Sequence, residues 1–140
     1  ERFIRHYLNV KKGINFYMLN SWSNIHGPKE HSQIHYHGGS LLSGVYYPIL
    51  PDNSGDIMFH KGDIYTNLFH HTIRFDYDGA NNVTSENYVI GLKEGTIVLF
   101  PSHLNHSVQE NLSNEKRYSV AFNFFVKGKF GKEEYQLELK

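Results

Sequence analysis

Between residues 14 and 139 the sequence is cut into short runs of β-branched and aromatic residues, with turn-forming residues between them. "INFYML", "QIHYH", "LLSGVYYPIL", "DIMFH", "HTIRFDY", "NYVIGL", "TIVLFP", "HSVQE", "RYSVAFNFFV" and "EEYQLEL" follow one another, separated by Gly, Pro, Asn, Asp or Ser. Runs of that length and composition suit a pleated, half-buried surface and are too short for most helices. A chain built of many such runs, with no internal repeat or linker, is expected to form one all-β domain over residues 1–140, a sandwich or jelly-roll barrel. One minor helix is expected over residues 2–10, where Phe3, Ile4, Tyr7 and Leu8 share a face and Gly13 can end it. Pro51-Asp-Asn-Ser-Gly55 reads as the turn of a hairpin spanning 41–60, and "EEYQLEL" as a last edge strand. Residues 61–90 have weak periodicity and read as an irregular insertion over one mouth of the barrel, where substrate contacts tend to sit.

Composition narrows the function. Lys+Arg and Asp+Glu are both 14, which leaves no basic stripe for nucleic acid. No window is long and apolar enough for a membrane span, and no signal peptide is visible. There are no cysteines, which excludes disulfides, thiolate nucleophiles and Cys-bound metals, and points to a cytoplasmic setting. An edge strand at 134–139 offers a pairing surface for a homo-oligomer. Ten histidines in 140 residues are many, and their spacing is the informative part.

His35 and His37 are two residues apart in a strand-like run, and a period of two puts them on one face. His106 is a natural third partner, because it directly follows the strand-and-turn segment "LFPSHLN". In "RYSVAFN", Arg117 and Ser119 share a face with Ala121 and Asn123, while Tyr118, Val120, Phe122 and Phe124 occupy the other and read as core. An arginine aimed into a barrel is costly unless it meets an anion, and its planar fork beside a hydroxyl suits a carboxylate. The residues thus offer three neutral nitrogen ligands and, nearby, a carboxylate receptor. A metal bound by three ligands on one side keeps positions open for a bidentate cosubstrate and dioxygen.

"SWSN", "HYH" followed by "LLSGVYYPILPDNSGDIMF", then "GTIVLFPSHLNHSV" and "RYSVAFN" occur in that order between Trp22 and Phe124. In this the chain resembles the 2-oxoglutarate/Fe(II)-dependent oxygenases, and more narrowly a small uncharacterised branch that often carries His-x-His. The resemblance implies a double-stranded β-helix, a form of jelly roll. It implies that His35, His37 and His106 are the iron ligands and catalytic centre, with His37 replacing the usual carboxylate. It implies Arg117 and Ser119 as the clamp on the far carboxylate of 2-oxoglutarate. Tyr46 and Tyr47 face opposite ways; of the two, Tyr46 is taken as the residue reaching the cosubstrate. Asn24, before Ile-His-Gly-Pro, reads as a turn residue with the cavity wall as the alternative; Trp22 is a candidate for the core, and His70-His71 for a loop or substrate contact.

The expected activity is that of a hydroxylating dioxygenase using Fe(II) and 2-oxoglutarate. Two other readings stay open. One is a three-histidine, cupin-like dioxygenase that binds its substrate directly and consumes no 2-oxoglutarate. The other is a non-enzymatic barrel for a carboxylate or sugar ligand. Succinate release separates the first from the second, and metal content separates both from the third.

Overall fold

The computed structural model describes residues 6, 9–61, 78–79, 85 and 87–140. These form nine β-strands: β1 Asn15–His26, β2 Ser32–His35, β3 Leu42–Ile49, β4 Ile57–His60, β5 Asn87–Ile90, β6 Ile97–Pro101, β7 His106–Val108, β8 Arg117–Phe130 and β9 Leu137–Leu139. The larger sheet has the order β1-β8-β3-β6, with β9 on the far end of β8. The smaller has the order β2-β7-β4-β5, and all pairings are antiparallel. This is the two-sheet jelly-roll arrangement, and the sheets do not join into a closed barrel. The helix expected over 2–10 lies mostly outside the described residues, as do "HTIRFDY", His70-His71 and most of the 61–90 insertion. Among the described residues no helix is long and apolar enough to cross a membrane.

Residues 41–60 do not form a hairpin. β3 belongs to the larger sheet and β4 to the smaller, so the turn at 51–55 carries the chain across the sandwich. Gly55 makes that step possible. Its φ is +87°, in the region L side chains disfavour, and a Cβ there would overlap the backbone carbonyl of Gln109. The "EEYQLEL" run is also shorter as a strand than its alternation suggests. A 3-10 turn at Glu133–Tyr135 precedes β9, which pairs through Gly128–Phe130.

The core lies between the sheets. Val45, Tyr47, Ile57, Val98, Phe100 and Ala121 are buried there, with Phe59, Ile90, Leu92 and Leu104 packed against them. β8 meets it in the opposite sense to the one its composition suggests. Arg117, Ser119, Ala121 and Asn123 are buried, while Tyr118, Val120, Phe122 and Phe124 lie half-buried on the outer face. Alternation gives two faces but not which one meets the second sheet. Here the inner face is polar because it also lines a cavity. On the outer face Val120 stands beside Tyr46, which in turn pairs with Ile97.

β1 follows the same register. His26 pairs with Arg117, Asn24 with Ser119, Trp22 with Ala121 and Asn20 with Asn123, so these four side chains share the inner face. Gly55→Ala should therefore be severe. It combines a disfavoured φ with overlap against fixed backbone, a loss of about 2–5 kcal/mol read as a lowered denaturation midpoint.

Candidate active site

The smaller sheet delivers two of the three histidines. His35 ends β2 and pairs with His106 of β7, which in turn pairs with Phe59 of β4. His37 lies just past the end of β2, so the two residues of His-x-His do not share one strand. The His37 N–H instead donates to the Ser102 carbonyl at 2.9 Å, which bends the segment across the gap between the sheets. The rings still converge. Centroid separations are 4.3 Å for His35–His106, 5.0 Å for His37–His106 and 5.4 Å for His35–His37. The ligand-capable nitrogens of the three residues all lie within 4.8 Å of one another.

Hydrogen bonds fix the tautomer of each ring. His35 Nδ1 donates to the Gln33 carbonyl at 2.7 Å, and His106 Nδ1 donates to the Leu104 carbonyl at 2.9 Å. A carbonyl only accepts, so both rings carry their proton on Nδ1. His37 Nδ1 donates to the Asn123 side-chain oxygen at 2.7 Å, with Ser43 Oγ at 2.9 Å. Ser43 donates to the same Asn123 oxygen at 2.7 Å and lies 2.8 Å from Ser102 Oγ. Asn123 Nδ2 donates in turn to Asn20 Oδ1 at 3.0 Å. Ser43, Ser102 and Asn123 are all buried, so this network is shielded from water. Every Nε2 is left as a lone-pair donor, the form a divalent metal requires. Three imidazoles with their outer nitrogens tied in this way fit a transition metal such as iron(II).

Burial keeps His106 neutral. His106 is 3% exposed, and its ring packs 4.8 Å from Phe100 and 5.9 Å from Phe59. Burial pushes its pKa down to about 4 despite the Leu104 carbonyl bond, and the neighbouring His35 and His37 push the same way.

The second part of the site is Arg117, at the start of β8 and 1% exposed. Its Nη1 donates to the Ser54 carbonyl at 2.8 Å and the Gly55 carbonyl at 2.9 Å. Its Nε is buried without a partner among the described residues. No described carboxylate forms an ion pair with it, and neither Glu110 nor Glu115 is its partner. Burial lowers its pKa, and Tyr47 and Asp56 oppose that from a distance. Among the described residues this buried cation meets only neutral carbonyls, an environment that leaves its charge uncompensated.

One cavity joins the two parts. It is open at its mouth, and His35, His37, His106, Tyr47, Arg117 and Ser119 are among the residues that line it. The expectation for Tyr46 is corrected here: it lies on the outer face, 37% exposed, while Tyr47 lines the cavity and is 1% exposed. The parity that puts Ser43 and Val45 inside puts Tyr47 with them. The Tyr47 hydroxyl has no partner among the described residues. Burial, which outweighs the nearby Arg117, pushes its pKa up to about 12, so it remains a proton donor. Asn24 lines the cavity from within β1 rather than forming a turn; Trp22 lines it too, rather than lying in the core, with its ring 5.5 Å from that of His37.

Sequence reasoning missed His26 and Asn20, although both continue the Trp22–Asn24 alternation inward. It also gave no role to Asn111. That residue is fully buried, and its Nδ2 donates to the carbonyls of His26 at 3.0 Å and Glu115 at 2.8 Å. It ties the end of β1 to the approach to β8, and so sets His26 beside Arg117.

The family profile described as "Putative 2OG-Fe(II) oxygenase" matches residues 20–123. The chain belongs to the 2OG-Fe(II) oxygenase family. Its fold is similar to that of a 2OG-Fe(II) oxygenase family oxidoreductase from Burkholderia pseudomallei, with a TM-score of 0.63, 13% identity, and 88% of this chain and 50% of that one covered. It is also similar to a Pseudomonas putida prolyl-4-hydroxylase, with a TM-score of 0.51, 17% identity, and coverage of 86% and 56%. HygX from Streptomyces hygroscopicus, solved with nickel and 2-oxoglutarate bound, gives a TM-score of 0.50, 13% identity, and coverage of 78% and 55%. The chain thus spans about half the length of these structures. No curated protein sequence matches it. Iron(II) and 2-oxoglutarate are the cofactors of this oxygenase family, and the donor set described above is compatible with both.

Two results should follow from this geometry. Asn123→Ala removes the acceptor that holds His37 Nδ1, and should weaken Fe(II) or Co(II) binding about 10–100-fold in a metal titration while leaving the fold intact. The metal-free protein should lose stability in acid. An unfolded histidine titrates at 6.5 and folded His106 at about 4, so between these values only the unfolded chain takes up the proton. The contribution is complete above pH 6.5 and is lost as the pH falls towards 4, amounting to about 3 kcal/mol. Urea midpoints across that window should show it, and His106→Gln should flatten the dependence.

Proposed function

We propose that this chain is an Fe(II)- and 2-oxoglutarate-dependent dioxygenase that hydroxylates an unactivated C–H bond. One observation carries the reading: three imidazoles with their Nδ1 groups tied share a cavity with a buried arginine that has no carboxylate partner among the described residues. His35, His37 and His106 are the residues to hold the metal. Arg117, with the hydroxyls of Ser119 and Tyr47, is the clamp for the far carboxylate of the cosubstrate, and Tyr47 takes the place given to Tyr46 from sequence. When bound, iron and 2-oxoglutarate supply the oxidation: dioxygen gives one oxygen atom to succinate as carbon dioxide leaves, and the other to the C–H bond.

The protein's own contribution is positioning and exclusion. The Asn123–Ser43–Ser102 network holds His37 in one orientation, so no ring reorganises when the metal enters. Phe59 and Phe100 cover His106 and keep water from that side of the centre. Arg117 fixes the cosubstrate at its far end and leaves the 2-oxo acid end free to face the histidines.

The all-imidazole donor set also supports a second reading. Without a carboxylate ligand the metal keeps a higher charge, which suits a direct dioxygenase whose own substrate meets both the metal and Arg117. The two differ in stoichiometry, since only the first releases one succinate per turnover.

The test is an anaerobic titration of metal-free protein with Fe(II) and then 2-oxoglutarate, following the visible charge-transfer absorption of the chelate. The wild type should develop the band. Arg117→Ala should need roughly 100-fold more cosubstrate, and Arg117→Lys an intermediate amount. Iron binding without the band would rule out the 2-oxoglutarate reading in favour of the direct dioxygenase.

A further inference from the structure

A fourth imidazole lines the cavity outside the three-histidine cluster. His26 closes β1 directly opposite Arg117 and lines the same cavity as the histidine cluster. Its Nε2 lies 3.0 Å from Ser32 Oγ. Its Nδ1 is buried and has no partner among the described residues. Its backbone carbonyl is held by Asn111, so the ring is presented by a fixed strand end rather than a free loop.

Two other unpartnered atoms belong to this end of the cavity, the Tyr47 hydroxyl and Arg117 Nε. His26, Tyr47 and Arg117 come from three strands, β1, β3 and β8, and all three residues line the one cavity. Leaving a buried polar atom unpaired costs about 1–3 kcal/mol, and three in one cavity point to a ligand group that satisfies them together. Arg117 and Tyr47 are donors. His26 can be a third, because a serine hydroxyl can donate to Nε2 and leave the ring proton on Nδ1. Burial and the adjacent Arg117 both disfavour a charged ring, so His26 adds a hydrogen bond rather than a second cation. Three donors and one fixed positive charge match a single carboxylate, which has about four acceptor sites.

We propose that His26 determines specificity for the cosubstrate, donating from Nδ1 to the far carboxylate of a dicarboxylic 2-oxo acid beside Arg117 and Tyr47. This rests on the 2-oxoglutarate reading above and adds a selection rule to it. The His26 contact exists only when the oxo acid carries a second carboxylate, so it discriminates by chemistry at the end remote from the metal.

The experiment compares 2-oxoglutarate with 2-oxovalerate, which has the same chain length and 2-oxo acid end but no far carboxylate. Binding to the Zn(II)-loaded protein is measured calorimetrically, so no turnover intervenes. The His26→Leu variant should bind 2-oxoglutarate roughly tenfold more weakly and 2-oxovalerate as the wild type does. His26→Asn, whose amide nitrogen falls near the Nδ1 position, should recover part of the loss. In the wild type, a protected imidazole N–H signal of His26 should appear by NMR with 2-oxoglutarate and not with 2-oxovalerate, a readout that needs no variant. Equal loss of both acids in His26→Leu, or no loss of either, would overturn the assignment, as would an N–H signal indifferent to the far carboxylate. Failure of the wild type to bind either acid would instead reject the 2-oxoglutarate reading on which it rests.

Discussion

Polar side chains on the buried face of β8 have to be satisfied, and most of the architecture answers to that requirement. Asn123 finds His37, Ser43 and Asn20; Arg117 finds the carbonyls of Ser54 and Gly55. Because Ser54 and Gly55 belong to the turn that crosses between the sheets, the arginine secures the crossover as well as forming part of the cavity. An unpaired polar atom in this setting is expensive, so atoms left without partners mark where a ligand group belongs. Those of His26, Tyr47 and Arg117 are at the Arg117 end, where no carboxylate among the described residues pairs with the cation. At the other end the outer ring nitrogens are all engaged, and what is left open is a set of lone pairs. One cavity thus presents donors at one end and acceptors at the other, a polarity suited to a metal-chelating acid with a distant carboxylate.

Much of this was legible in the chain. The rule that alternate residues of a strand share a face placed Arg117, Ser119 and Asn123 together, and the structure puts all three on the inner face. The strand-rich punctuation gave an all-β, two-sheet fold. The same rule could not decide which face of β8 is inside, because Phe122 and Phe124 are better core residues by hydrophobicity than Ser119 and Asn123 are. A cavity reverses that preference, and a cavity is not visible in local sequence. The choice between Tyr46 and Tyr47 failed for the same reason: parity separates them, but only the pairing of β3 with β8 says which one faces inward.

Other features depended on pairing over long range. β1 runs on to His26 through the polar stretch "NSWSN", which has poor strand propensity, because β8 pairs with it along that length. His37 escapes the strand that holds His35, because its N–H is claimed by Ser102 some 65 residues later. The turn at 51–55 looks like a hairpin turn in composition, yet Gly55 uses its positive φ to change sheets. His26 could have been found by extending the Trp22–Asn24 alternation by two residues, and its neighbour in the register, Arg117, would then have suggested its role.

The proposed function stands on His35, His37 and His106 being held as Nδ1-protonated rings whose Nε2 atoms converge on one metal. The most direct measurement is a long-range proton–nitrogen NMR correlation of the histidine rings, recorded as metal-free protein is titrated with diamagnetic Zn(II). These three rings should carry Nδ1–H before metal is added, and their Nε2 resonances should shift together and saturate at one equivalent. Coordination through Nδ1 at any of them, or saturation with only one or two of the three rings shifted, would contradict it.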